Sequence, residues 1–427
     1  MSNLLKKFEA FYNKTHLDYT KEDVDPFQFY VNFYYLAKAF QIMDNEPKPK
    51  WTYFSAIFVG FCGTLASILC LTSIYFGIRE SNVSYTTEFF TYLVIMIYKL
   101  LILTSLKLNL RHYHNFLCEL RKDFKYVCKE GAKYRVRYFE NHLLTWKISL
   151  SAAIFVIAIG IGMILFGILT LIIYLYTHEP GKRVNRPLPF HFWFFDVELE
   201  QTPTYEISFV FGCTCMTSHV FMFIFSLQTN IIWIRQIMLK ADLVIWSIQE
   251  LLVDIHSILD KEEERRLSGI LKERMRDIII KHQSMYRLLD DYSAVYKKVL
   301  MYEQVVNAPI VCLTAYCTAV SIDEGHLNAM SLQLFIALVV VLFIPSYLCS
   351  LLADKIISIC DACCDIPYWR AGPLMKVLKP YLVLIMQKSL QPLVLKSAGL
   401  KDFSIQTYSN NLTTAYSWFN MMRQANL

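Results

Sequence analysis

Apolar and polar residues alternate along this chain in long blocks. Six blocks are apolar enough, and long enough at about 1.5 Å per residue, to cross a hydrocarbon core of about 30 Å as helices. They cover residues 51–76, 85–108, 148–176, 205–234, 300–321 and 327–351. A seventh block, 403–424, has the length but not the apolarity. Along it Thr407, Asn410, Thr414, Ser417, Met421 and Gln424 recur every third or fourth residue. That spacing marks one stripe of a helix, polar except at Met421. Ile405, Tyr408, Leu412, Tyr416, Phe419 and Met422 fall on the opposite side. A spanning helix of this kind must hide its polar stripe from lipid, either in a water-filled pore or in a seam between helices.

The polar blocks have their own pattern. From Met275 through Ile278, His282, Met285, Leu289, Tyr292, Tyr296 and Val299, apolar and aromatic residues return at strict 3–4 spacing. This heptad-like seam predicts one helix running from about 264 to 321 without a proline before Pro309. Such a helix outruns a bilayer and projects beyond it. Its seam is expected to carry subunit assembly through Met275, Ile278, Met285, Leu289, Tyr292, Tyr296 and Val299. Residues 353–400 form a second amphipathic segment, expected to share the inter-subunit contact with the seam, with a kink expected at Pro380. An aromatic run, 27–43, is expected to lie on the membrane surface or against the bundle. The predicted organisation is an N-terminal segment with a surface helix (1–50), spans one to four (51–234), an anchor extension (235–299), spans five and six (300–351), an anchor helix (352–401) and the seventh helix (402–427).

Composition agrees with a membrane protein: 55% of residues are apolar and only 18% charged, against roughly 25% charged in soluble domains. The opening segment does not read as a secretory leader, so the first span is expected to act as the targeting signal. Charge placement predicts orientation. Lys and Arg number 34 on the side of the N-terminus and five on the other; without the long 235–298 loop the bias is still 22 to five. The basic side is expected to be cytoplasmic. The expected fold is therefore an all-α membrane protein with seven transmembrane helices, a cytoplasmic N-terminus, an extracellular C-terminus and a cytoplasmic helical anchor bundle. That orientation is the reverse of a G-protein-coupled receptor. Neither Asp-Arg-Tyr after span three nor Asn-Pro-x-x-Tyr in span seven is present. A transporter, the other seven-span rival, is disfavoured by the lack of repeats and broken helices.

Candidate chemistry is sparse. No phosphate loop, nucleophile elbow or intramembrane carboxylate pair occurs, so neither an enzyme nor a cofactor is expected, and nothing points to nucleic acid. Cys360, Cys363 and Cys364 lack a matching second ligand pair, so bundle packing rather than zinc is expected there. His112 and His114 are expected to be solvated and Lys99 to snorkel. His219, at membrane depth, is expected to be a neutral, satisfied histidine. Glu88, Glu206 and Glu303 fall at span boundaries. Asn82-Val-Ser84 is a glycosylation sequon in the first outer loop, with Asn82 the acceptor.

Four stretches carry a resemblance to a known family: His282-Gln-Ser-Met-Tyr-Arg-Leu-Leu-Asp-Asp, Ile366-Pro-Tyr-Trp369, Met386-Gln-Lys-Ser-Leu-Gln-Pro-Leu-Val-Leu-Lys-Ser-Ala-Gly399 and Ala415-Tyr-Ser-Trp-Phe-Asn-Met-Met-Arg423. With the inverted topology, they resemble the insect odorant receptors, on the ligand-tuned branch rather than the co-receptor; gustatory-type receptors of the same superfamily are the alternative. The resemblance implies a ligand-gated, non-selective cation channel, tetrameric around a central pore and assembled with the odorant receptor co-receptor. It implies small volatile or semi-volatile organic agonists, contact with membrane lipid, and a place in the plasma membrane of sensory dendrites. The seventh helix would line the pore, with Met421 at the gate, Gln424 beside it, and Ser417, Thr414 and Asn410 below. A ligand pocket is implied in the outer half of the bundle, where Tyr85, Phe89, Tyr92 and Met96 of span two face Phe166, Thr170 and Tyr174 of span three and Phe209 and Cys213 of span four. Glu198, Glu200, Asp323 and Glu324 are candidate attractors of cations, and Arg423 is expected to point off the lumen.

Overall fold

A computed structural model describes residues 2–15, 24–40, 42, 50–129, 131–177, 188, 190–195, 201–253, 261–325, 328–368, 372–391 and 403–425. All regular structure among them is helical. Three short helices open the chain: α1 (Ser2–Asn13), α2 (Pro26–Phe29) and α3 (Val31–Ala39). The large helices follow: α4 (Lys50–Arg79), α5 (Val83–Leu108), α6 (Leu110–Lys129), α7 (Ala132–Thr177), α8 (Thr204–Gln249), α9 (Lys261–Asp323) and α10 (Ala329–Cys364). A 3-10 turn at Gly372–Leu374 leads into α11 (Met375–Ser389), and α12 (Ile405–Ala425) closes the bundle. Six helices, α4, α5, α7, α8, α9 and α10, are long and apolar enough to cross a membrane. The more polar α12 is 21 residues long, about 31 Å, which matches a hydrocarbon core in length.

Several helices run far beyond a bilayer. At 63 residues α9 is about 95 Å long, and α8, at 46 residues, about 69 Å. The boundaries expected at 234/235, 299/300 and 351/352 therefore fall inside continuous helices. Pro309, Pro345 and Pro380 are each absorbed within a helix, the last without ending α11.

The densest core lies where α6, α8, α9, α10 and α11 meet, at the basic end of the bundle. Trp233 of α8 is fully buried, stacked on Phe116 at 4.6 Å, and donates its indole N–H to the Leu288 carbonyl at 3.2 Å. Tyr292 stacks on Tyr296 at 4.8 Å and donates to Asn230 Oδ1 at 3.2 Å. The aromatic run near the N-terminus packs on the bundle: Phe33 lies parallel to Phe225, and the Tyr30 hydroxyl meets His142 Nδ1 at 2.6 Å.

The seam expected from periodicity packs within this core. Met275, Ile278, Met285, Leu289, Tyr292, Tyr296 and Val299 are all buried among helices of the chain itself. The 3–4 spacing reported burial correctly, but α6, α8, α10 and α11 of the same chain supply the partner. An apolar strip of α11, including Tyr381 and Leu384, stays exposed at this end, with Leu390 just beyond the helix.

A buried charge cluster pins the same region. Lys240 of α8 donates to Glu119 Oε2 at 3.0 Å, Asp123 Oδ1 at 2.9 Å and Ser284 Oγ at 2.8 Å, joining α6, α8 and α9. Gln236 donates to Asp123 Oδ2 at 2.5 Å. Burial opposes the charge on Glu119, but Lys122, Lys240 and Ser284 outweigh it and hold that carboxyl at about 2. Burial pushes the Asp123 carboxyl up against the pull of Lys240.

Candidate functional site

Helix α12 is seated on α9 and α10 by one side only. The Tyr408 hydroxyl donates to the Val339 carbonyl at 2.7 Å, Ala415 is buried, and the Met422 sulfur lies 3.7 Å from Cys312 Sγ. At its start the Ile405 N–H donates to Ser350 Oγ at 2.9 Å. The other side meets no further described part of the chain: Asn410, Thr414, Ser417, Met421 and Gln424 are exposed, Met421 by 65%. Thr407 is half-buried beside Ser404. The hydroxyls of Thr414 and Ser417 donate to backbone carbonyls of their own helix, which leaves their oxygen lone pairs facing outward. Two residues expected on the seated side, Ile405 and Tyr416, are exposed instead. The contact face is narrower than half the helix, so positions at its margins fall outside it. Arg423 is held off the stripe, donating to Asp323 Oδ2 at 2.6 Å and tying the end of α12 to the end of α9.

A cavity of about 110 Å³ lies between α5, α7, α8, α9 and α10. Its wall is mainly aliphatic and aromatic, with Val94, Phe155, Met163, Phe223 and Leu338 among the lining residues. Four polar side chains also line it: Tyr98, Tyr302, His219 and Glu303. Tyr98 donates its hydroxyl to Glu303 Oε1 at 2.5 Å, and Tyr302 donates to the Val94 carbonyl at 2.9 Å. Glu303 Oε2 and His219 Nδ1 are buried without a hydrogen-bond partner among the described residues. Gly160 brings α7 close to α8 here, since a Cβ built on it would stand 2.6 Å from Val220 Cγ2.

None of the nine residues expected to form a ligand pocket lines this cavity. Phe89 and Tyr92 are buried in an aromatic plug with Phe190 and Phe192. Those two phenylalanines belong to the loop between α7 and α8. The loop folds back onto the bundle: Trp193 N–H donates to Ser73 Oγ at 2.8 Å, and Tyr85 donates to the His191 carbonyl at 2.7 Å. Met96 packs with Cys62, Ala66 and Cys215. Phe166, Thr170, Tyr174, Phe209 and Cys213 are half-buried, with Thr170 bonded to its own helix and Phe209 beside Tyr205. The cavity uses the same helices about ten residues earlier along α7 and about ten later along α8, roughly 15 Å along each, while on α5 the shift is only a few residues. Two sequence signals marked it: an acidic residue just inside an apolar block, and a glycine within one.

Other expectations resolve individually. Lys99 does not snorkel: it is 1% exposed and donates to Ser218 Oγ at 2.6 Å, because α4 and α8 cover it on the path to the membrane surface. His112 pairs with Asp291 Oδ1 at 2.6 Å while its side chain stays 36% exposed, and His114 Nε2 lies 3.4 Å from Cys118 Sγ. His219 is at depth as expected, but its Nδ1 is not satisfied by the described residues. Glu303, taken as a boundary position, is buried in the cavity wall. Asn82 is exposed and caps α5, its Oδ1 accepting from the Tyr85 N–H at 3.0 Å. Cys360 and Cys363 are buried and Cys364 is exposed. Glu198 and Glu200 lie outside the described residues.

Comparison with known proteins gives one family and one fold. The family model described as 7tm Odorant receptor matches residues 82–416. No curated protein matches the sequence. Among solved structures, the insect olfactory receptor OR5 from Machilis hrabei superposes with a TM-score of 0.69 at 11% identity, over 93% of this chain and 99% of that one. The same receptor in complex with eugenol gives a TM-score of 0.72 at 11% identity, over 94% and 100%. At that identity the likeness is one of fold.

Proposed function

The chain belongs to the 7tm odorant receptor family, and we propose that it is the ligand-tuned subunit of an odorant-gated, non-selective cation channel formed with a co-receptor. The observation that carries this reading is α12, a helix of spanning length whose polar stripe points away from the rest of its own chain. In a bilayer that stripe needs water or a matching stripe from other subunits. A symmetric ring of such helices supplies both. Exposed Met421 would form the narrow apolar ring that stops ions by dewetting, with Gln424 on one side and Ser417, Thr414 and Asn410 on the other. The exposed apolar strip of α11 is the surface we assign to subunit assembly, in place of the buried α9 seam. The orientation read from the basic blocks puts α11 in the cytoplasm and the end of α12 outside.

Agonists enter the cavity between α5, α7, α8, α9 and α10, where α9 gives a route to the pore. The cavity wall includes Val306 and Ile310 of α9, and the same helix packs on α12 through Ala308, Val311 and Cys312. A small, largely apolar organic ligand fits that lining. The related OR5 solved with eugenol supports this ligand class.

The test compares two neighbouring methionines in cells expressing the chain with a co-receptor. Met421→Ser should raise current in the absence of ligand, more so when the partner subunits carry a matching change. Met422→Ser, on the seated face, should not. Equal basal current from both variants, or none from Met421→Ser at normal surface level, would remove α12 as the gate.

A further inference from the structure

Glu303 is out of place in an apolar cavity unless something meets it. It is 5% exposed and lines the wall, with Oε1 occupied by the Tyr98 hydroxyl at 2.5 Å. Oε2 is buried with no partner among the described residues. A buried acceptor left unmade is costly, and the cost disappears when a ligand supplies a donor. The wall opposite is aliphatic and aromatic, so it adds contact area but no competing donor beyond His219, whose Nδ1 is also open.

We propose that this cavity selects small hydroxyl-bearing ligands, alcohols or phenols, through a hydrogen bond from the ligand O–H to Glu303 Oε2. The assignment rests on the reading of this cavity as the ligand site. A hydroxyl brings one donor, which the one free carboxyl oxygen satisfies. Its own lone pairs can accept from His219 when Nδ1 carries the proton. An ammonium group fits less well, because it brings three donors to a wall with few acceptors and loses a larger hydration on entry. Size narrows the class further. An engineered cavity of about 150 Å³ lined by Leu, Ile and Phe holds benzene, so about 110 Å³ takes a single ring or a chain of about six carbons. Tyr98 is a positioning residue here: it holds Oε1 and thereby fixes which oxygen is free.

The test uses phenol, anisole and toluene, three single-ring probes with a hydroxyl, a methyl ether and neither. Two readouts on the full-length chain are compared: current in cells with a co-receptor, and thermal stabilisation of the purified protein in detergent. Phenol should act at about tenfold lower concentration than anisole in both. Glu303→Gln keeps a carbonyl for Tyr98 and replaces Oε2 with an amide N–H₂, so it should abolish or reverse that preference in favour of anisole. Equal ranking of phenol and anisole by the unmodified chain would overturn the proposal. So would retention of the phenol preference by Glu303→Gln, or failure of all three probes to stabilise the chain. Phenol-first stabilisation without any ligand-gated current would support the proposal and remove the channel reading instead.

Discussion

Replacing Lys240 with Met should destabilise this protein more than any charge removal at its surface. The ammonium group is 5% exposed and makes three hydrogen bonds, two of them to carboxylates. Glu119 and Asp123 are themselves 26% and 12% exposed in their side chains. Removing the cation leaves two poorly hydrated carboxyl groups one turn apart on α6, facing α8 with no partner charge. The expected loss is about 3–5 kcal/mol, the usual cost of breaking a buried pair by deleting one partner. Lys122 provides the internal control. It pairs with Glu119 at 2.8 Å but is 71% exposed, so Lys122→Met should cost no more than about 1 kcal/mol. Thermal midpoints of the detergent-solubilised chain, followed by size-exclusion profiles, should fall by roughly 3–6 °C for Lys240→Met. Most of that fall should be recovered when Glu119→Gln and Asp123→Asn are added, because the cost lies in the stranded carboxylates rather than in the lost lysine. A Lys240→Met midpoint within the range of Lys122→Met would refute the buried-network argument, and so would a failure of the triple variant to recover.

Three further outcomes follow from the same structure. Because Glu119 is held at about 2 in the folded chain, below the usual carboxylate value of about 4.3, its contribution is present above that value and lost as pH falls towards 2; the acid side of the midpoint-versus-pH curve should flatten in Glu119→Gln, with Asp123, whose carboxyl is pushed up, acting in the opposite sense. Gly160→Ala should push Val220 into the cavity, since the new Cβ would sit 2.6 Å from its Cγ2, and dose–response curves should lose larger agonists by about tenfold while smaller ones change little. Arg423→Ala should leave stability within about 1 kcal/mol, as the pair with Asp323 is exposed, yet shift agonist sensitivity by loosening α12 from α9; the swap Arg423→Asp with Asp323→Arg should restore the dose–response curve.

Much of this architecture is written in local periodicity. The long apolar blocks, the continuous helix expected over about 264–321 and found as Lys261–Asp323, and the outward polar stripe of α12 all follow from side chains repeating every 3.6 residues. That repeat depends only on backbone geometry, so one chain read alone reveals it. Periodicity states that a face is buried, however, and not by what. The seam from Met275 to Val299 read equally well as a contact between subunits, and only the packing of α6, α8, α10 and α11 shows its partner to be its own chain. Depth is invisible for a similar reason. Phe89 and Tyr92 had the right spacing for a pocket, but Phe190 and Phe192, about a hundred residues away, fill the space in front of them. The cavity lies further along the bundle, where Glu303 and Tyr98, 205 positions apart, meet across two helices. Lys99 was misjudged on the same ground, because whether a charge reaches solvent depends on which neighbouring helix covers it. Such contacts are set by how helices cross in three dimensions, and no local pattern of apolar and polar residues encodes a crossing.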